Sequence, residues 1–148
     1  MLAACSPRFL TPSLARTSFR ALSSAATELT PELKERIDSA LTKDKVVVFM
    51  KGTQEQPACG FSRNVKMVLD YHEVNFQDYN VLEDEDLRNG IKLYSDWPTI
   101  PQVYVKKQFV GGSDILIQMH KEGEITDFFD QNEVPSKFSD KFPSSKPE

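Results

Sequence analysis

Apolar positions along the chain follow two rhythms, a helical spacing and short unbroken runs. Leu33, Ile37 and Leu41 recur every four residues and predict a helix with one apolar face. Its start is marked by Thr30-Pro31-Glu32, a hydroxyl cap followed by proline at the first helical position and an acid in the first turn. Lys43-Asp44-Lys45 closes that helix. The next five residues, Val46-Val47-Val48-Phe49-Met50, are all apolar and predict a central strand buried on both faces. Val65, Val68 and Leu69 predict a second helix that opens just after Cys59 and ends near Tyr71-His72-Glu73. Residues 74–81 alternate raggedly and predict a strand. Leu87, Ile91 and Tyr94 continue a third helix from the acidic start Glu83-Asp84-Glu85-Asp86, with Gly90 as an unfavourable interior residue. The two prolines of Trp97-Pro98-Thr99-Ile100-Pro101 force extended backbone. Gln102-Val103-Tyr104-Val105 and Gln108-Phe109-Val110 predict a hairpin across Lys106-Lys107, a turn without the Gly or Asn that a two-residue loop prefers. Residues 115–120 open the last helix, which Ser113 or Asp114 can cap. Residues 131–148, rich in Pro, Ser and Lys without periodicity, are expected to form a mobile tail.

The resulting order is helix, strand, helix, strand, helix, hairpin, helix. A strand–helix–strand unit followed by a hairpin and a covering helix predicts an α/β domain with one mixed sheet and helices on both sides. Sites in such folds gather at strand ends and helix N-termini. Three stretches qualify: the thiol of Cys59, the turn at Thr99-Ile100-Pro101, and Gly112-Ser113-Asp114. Cys59 is the most chemically loaded of them. Free backbone N–H groups and the helix dipole favour an anion at a helix start, so a cysteine there becomes a thiolate nucleophile or a metal ligand.

Composition narrows the classes. The chain has 148 residues, enough for one domain with a real core, and no apolar run approaches the ~20 residues of a membrane span. Its two cysteines are Cys5 and Cys59. Residues 1–27 contain Arg8, Arg16 and Arg20, no acidic residue, and much Ser, Ala and Thr, the composition of an organellar transit peptide. Cleavage of that leader leaves Cys59 alone, which excludes a disulfide-stapled scaffold. It also removes three positive charges and takes the formal net charge from −4 to −7. So acidic a domain is a poor partner for nucleic acid or an anionic membrane. His72 and His120 read as lone helical histidines, and with one cysteine they do not make zinc-ligand spacing.

Four motifs in order, Lys51-Gly52-Thr53, Cys59-Gly60-Phe61-Ser62, Trp97-Pro98-Thr99-Ile100-Pro101-Gln102 and Gly111-Gly112-Ser113-Asp114, resemble the monothiol glutaredoxins of the CGFS type over residues 30–130. With the leader, the resemblance is to their mitochondrial glutaredoxin-5 branch. It implies a thioredoxin-like fold, a central mixed four-stranded sheet flanked by helices, with Pro101 in the cis form. It divides the chain into a mitochondrial transit peptide at 1–27, a glutaredoxin domain at 28–130 and a disordered tail at 131–148. It implies a glutathione groove beside Cys59. Lys51 and Arg88 would meet the glycine carboxylate of glutathione, with Lys92, one turn on, as the competing cation. The backbone of Ile100 would pair with the cysteinyl part, and Ser113 and Asp114 would hold the γ-glutamyl end. Phe61 is expected in the groove wall.

The resemblance further implies a 2Fe–2S cluster shared between two subunits. Such a cluster takes four sulfur ligands, which two chains and two glutathiones supply. A homodimer bridged in this way buries little protein surface and is expected to be labile. The chain departs from the pattern in three places: Gln54 stands where Pro is common, Ser113 where many members have a second Cys, and Lys106-Lys107 where an Asn-Gly-like pair is usual. Two functions follow as expectations. One is a carrier in the mitochondrial matrix, with Cys59 as cluster ligand, that passes a glutathione-coordinated 2Fe–2S cluster to acceptor proteins of iron–sulfur assembly. The other is a glutathione-dependent oxidoreductase with Cys59 as its catalytic nucleophile. A redox-inert adaptor leaves Cys59 without a purpose.

Overall fold

The computed structural model describes residues 28–144. Residues 1–27, expected from their composition to be a transit peptide, lie outside them. The elements are α1 (Pro31–Leu41), β1 (Val46–Met50), α2 (Gly60–Tyr71), β2 (Gln77–Asn80), α3 (Glu85–Ser95), β3 (Gln102–Val105), β4 (Gln108–Gly111), α4 (Ser113–Glu122) and α5 (Glu124–Gln131). The four strands form one mixed sheet in the order β2-β1-β3-β4. β1 runs parallel to β2 and antiparallel to β3, with Val48 opposite Asp78 on one side and Val103 on the other.

The unbroken apolar run of β1 is explained by what covers the sheet. Alternate side chains of a strand point to opposite faces. Val46, Val48 and Met50 pack with Val65, Val68 and Leu69 of α2, Leu116 of α4, and Ile125 and Phe129 of α5. Val47 and Phe49 pack instead with Leu33 and Ile37 of α1 and Leu87 and Ile91 of α3. β1 is thus shared by two half-cores. On the second face Thr30 Oγ1 accepts the Leu33 N–H at 3.2 Å and caps α1 as its sequence predicts. Gly90 also finds its reason there, since a Cβ on it would lie 2.5 Å from Leu33 Cδ2. The glycine lets α3 approach α1.

Three local features differ from the sequence reading. The last predicted helix is broken in two by Gly123, whose φ of +77° ends α4 and starts α5. The Lys106-Lys107 turn closes its hairpin with both lysines at positive φ, 46° and 67°, as a type I′ turn demands. Lys106 N–H donates to Lys45 O at 2.7 Å and ties the turn to the start of β1. The expected mobile tail is folded against the domain over residues 132–144. Val134 is buried in the α2–α4–α5 half-core, Ser136 N–H donates to Phe142 O, and Lys137 N–H donates to His72 O at 2.8 Å. A segment without periodicity is held here by its few apolar residues and by backbone bonds to distant partners.

Candidate functional site

Cys59 is the N-cap of α2, with extended backbone (φ −142°, ψ 159°), and its sulfur accepts the Ser62 N–H at 3.3 Å. The Ser62 hydroxyl, fully buried, lies 3.2 Å from the same sulfur and accepts the Lys51 N–H at 3.0 Å. That second bond occupies a lone pair of the hydroxyl and leaves its proton free to turn to a thiolate. Burial raises the Cys59 pKa, but the Ser62 hydroxyl, the N–H groups of Ser62 and Phe61, and the charge of Lys51 together outweigh it, so the thiol is held below its ordinary value. The CGFS order has a mechanical reading: cysteine caps the helix, and serine three residues later supplies both a backbone and a side-chain donor. A Cβ built on Gly60 would meet nothing, so the space before the helix start is open. Phe61 is 60% exposed.

The loop before Cys59 folds tightly on itself. Gly52, at φ +87°, would place a Cβ 2.3 Å from Gln56 O, and only glycine accepts both conditions. Gly52 pairs with Pro57 in an antiparallel bridge, and Ala58 N–H donates to Lys51 O at 2.8 Å. The two ends of the loop, Lys51 and Cys59, are thereby kept together.

Beside this thiol lies a cavity of about 530 Å³. Lys51, just past β1, and Phe61 of α2 line it, with Lys92 of α3, and residues 97–101 and 112–115 complete it. Two of the three stretches singled out in the sequence, the turn at 99–101 and residues 112–114, thus meet in one cavity wall, while Cys59 is represented there by its neighbours Lys51 and Phe61 and not by its own side chain. Ile100 and Pro101 are joined by a cis peptide bond. Gly112 comes close to that turn, since a Cβ there would stand 3.2 Å from Pro101 O. Ser113 opens α4 with its hydroxyl buried and without a hydrogen-bond partner among the described residues, while Asp114 beside it is exposed. Arg88 is placed differently from the other candidates. Its guanidinium lies 3.3 Å from Glu85 on the surface of α3, whereas Lys92 is part of the cavity wall.

Gln102 is a residue whose role was not read from the sequence, where it closes one of the motifs and opens a strand. Its buried amide donates to Trp97 O at 3.0 Å and Thr99 O at 3.2 Å and accepts the Tyr104 hydroxyl at 3.1 Å. It fixes the 97–99 backbone that walls the cavity. A buried polar residue at the start of an otherwise apolar strand was the available signal. The two histidines are not lone either. His72 Nε2 and His120 Nδ1 lie 3.0 Å apart, within a cluster that includes Tyr71, Phe129 and Phe138.

The glutaredoxin family pattern matches residues 46–110. The chain is 51% identical over 102 residues to a ycf64-like monothiol glutaredoxin of Synechocystis, covering 69% of this chain and 95% of that one. It is 48% identical over 114 residues to the mitochondrial glutaredoxin-related protein 5 of Danio rerio, covering 76% of this chain and 74% of the relative. Among solved structures, the solution structure of reduced poplar apo GrxS14 superposes with a TM-score of 0.63 at 45% identity, over 70% of this chain and 95% of that one. The fold is thus the thioredoxin-like fold of glutaredoxins, and the chain belongs to the monothiol glutaredoxins, in their glutaredoxin-5 branch.

Proposed function

We propose that the protein carries a 2Fe–2S cluster, bound by Cys59 of two copies and by two glutathiones, and passes it to acceptor proteins of iron–sulfur assembly in the mitochondrial matrix. The observation that carries this reading is a single lowered-pKa thiol next to a cavity lined by two lysines, the cis turn and the start of α4. Lys51 and Lys92 offer cations to the glycine carboxylate of glutathione, and the groove favours Lys92 over Arg88 in that role. The Ile100 backbone, at the cis turn, suits strand-like pairing with the cysteinyl part. Ser113, with its unpartnered buried hydroxyl, and Asp114 suit the γ-glutamyl end. The residues present therefore fit glutathione. One sulfur per chain fits a shared cargo, since four thiolates are needed and the chain offers Cys59 alone among the described residues. Residues 1–27 serve as the transit peptide, in keeping with the mitochondrial relatives from Danio rerio and Saccharomyces cerevisiae.

Anaerobic reconstitution of the full chain with iron, sulfide and glutathione tests the proposal. Expected is a visible charge-transfer spectrum that needs both glutathione and Cys59, with about one cluster per two chains. A colourless product would overturn it.

The lowered thiol pKa also favours a second reading, reduction of protein–glutathione mixed disulfides. The Cys59 thiolate attacks the glutathionyl sulfur, the protein thiolate leaves, and a second glutathione thiolate attacks the same sulfur to free Cys59 and release glutathione disulfide. With Ser113 in place of a second cysteine, glutathione is the resolving thiol. Turnover of a glutathionylated substrate by a colourless protein would make this the leading account.

A further inference from the structure

The loop of residues 52–58 is tied to the sheet by one side chain that no motif contains. Gln54 N–H donates to Asp78 Oδ2 at 3.0 Å, and Gln54 Nε2 donates to Asp78 Oδ1 at 2.9 Å and to Phe76 O at 3.1 Å. Both neighbours of Nε2 are acceptors only, so the amide nitrogen must face them and both its hydrogens are used. A single loop residue thus takes both oxygens of a carboxylate anchored in β2, opposite Val48 of the central strand. Two of the three bonds are charge-assisted and correspondingly strong. Two residue pairs along the same ladder, Gly52 N–H donates to Asn80 Oδ1 at 2.9 Å.

We propose that the Gln54–Asp78 clamp is a positioning device for the Cys59 thiol, holding the loop so that Lys51 and Ser62 stay aimed at the sulfur. Gln54 and Asp78 touch neither the sulfur nor the cavity wall. They act through the loop, whose two ends are the cation and the thiol. Release of the tip is passed to those ends by the Gly52–Pro57 bridge and the Ala58–Lys51 hydrogen bond. What moves is the orientation of the Lys51 N–H on the Ser62 hydroxyl and the distance of the Lys51 charge from the sulfur. The clamp does with hydrogen bonds what a proline at position 54 does by fixing its backbone torsion. This inference rests on reading Cys59 as the reactive thiol, but its readout is independent of what the thiol is used for.

The test is the pH profile of Cys59 alkylation by iodoacetamide, followed on the full chain by mass spectrometry of the Cys59 peptide. Gln54→Glu turns the amide donor into a carboxylate facing Asp78 and Phe76 O. Asp78→Asn keeps shape but puts an amide nitrogen against one of the two donors. Each single variant is expected to slow alkylation at pH 7 by about threefold or more and to move the profile to higher pH. The double variant restores a donor–acceptor pair with the roles exchanged, and is expected to recover at least part of the loss. Unchanged profiles in both single variants, even with a lowered melting temperature, would show the clamp to be merely structural and overturn the inference. So would a double variant as slow as the two losses multiplied. If the carrier and exchange readings of Cys59 both failed, reconstitution and turnover would be absent while these profiles still separated the variants.

Discussion

At the residue scale, the largest of the influences that lower the Cys59 pKa is one hydroxyl. The Ser62 side chain gives the sulfur a donor and takes its own alignment from the Lys51 backbone. Ser62→Ala keeps the backbone donors and the Lys51 charge, and removes the first of the influences that oppose burial. It is expected to slow Cys59 alkylation at neutral pH several-fold with little change in circular dichroism. Gln102→Ala is a different case, because it leaves the carbonyls of Trp97 and Thr99 and the Tyr104 hydroxyl without their partner. A loss of roughly 2–4 kcal/mol in urea-unfolding stability is expected, with weaker glutathione binding by calorimetry. The two substitutions also separate what the sequence could and could not reveal. Cys59 announces itself by position, at the start of an apolar-periodic helix, whereas Ser62 stands in the sequence only as the end of a motif and its donor role comes from the structure. Gln102 depends on which carbonyls come back to it. Arg88 and Lys92 stand between, four residues apart and so on one helix face, and only the fold tells them apart, with Lys92 in the cavity wall and Arg88 beside Glu85.

At the scale of elements, the chain's local patterns carried most of the fold, and exceptions came where a glycine or a long-range contact decided. The run of β1 was readable because both faces are covered. Gly123 was not readable as a break, since apolar residues continue on both sides of it. Residues 132–144 lack a period because they follow surfaces made by other elements. Two substitutions test the tight joints between elements. Gly90→Ala improves intrinsic helix propensity by about 1 kcal/mol, yet its methyl would overlap Leu33, the buried contact of α1. The clash is expected to win, with a net destabilisation of roughly 1–2 kcal/mol by chemical denaturation. The I′ turn points the other way. Lys107→Gly relieves a side chain at φ 67°, and a gain of about 1 kcal/mol is expected, read as a higher melting temperature.

At the scale of the molecule, stability depends on a proton that His72 refuses. His72 is buried to 3% exposure at the end of α2, and desolvation followed by the nearness of His120 lowers its pKa to about 4. The folded value lies below the ordinary one of 6.5, so the unfolded chain binds the extra proton more readily. Stability from this group is complete above pH 6.5 and is lost as pH falls toward 4, by roughly 2–3 kcal/mol. Asp84, held low by the Leu87 N–H despite some burial and by Arg36, loses its contribution only in the ordinary carboxylate range and below. Urea-unfolding free energy is therefore expected to fall between pH 6.5 and 5, before the carboxylates titrate. His72→Phe, which keeps a ring among Tyr71, Phe129 and Phe138, is expected to flatten that part of the curve. No period or motif relates the two histidines, which are 48 residues apart.

The sharing of β1 by both half-cores has a consequence for time as well as for structure. An amide at the centre of that strand exchanges with solvent only when both coverings have come away, which amounts to opening the whole domain. Hydrogen exchange at Val47, Val48 and Phe49 then reports the free energy of global unfolding. Lys51 is the first residue past the end of that strand, so its amide, and with it the setting of the Ser62 hydroxyl, is anchored to the slowest clock in the molecule. Loops and helix ends can breathe many times during the life of one folded chain while the thiol's surroundings persist.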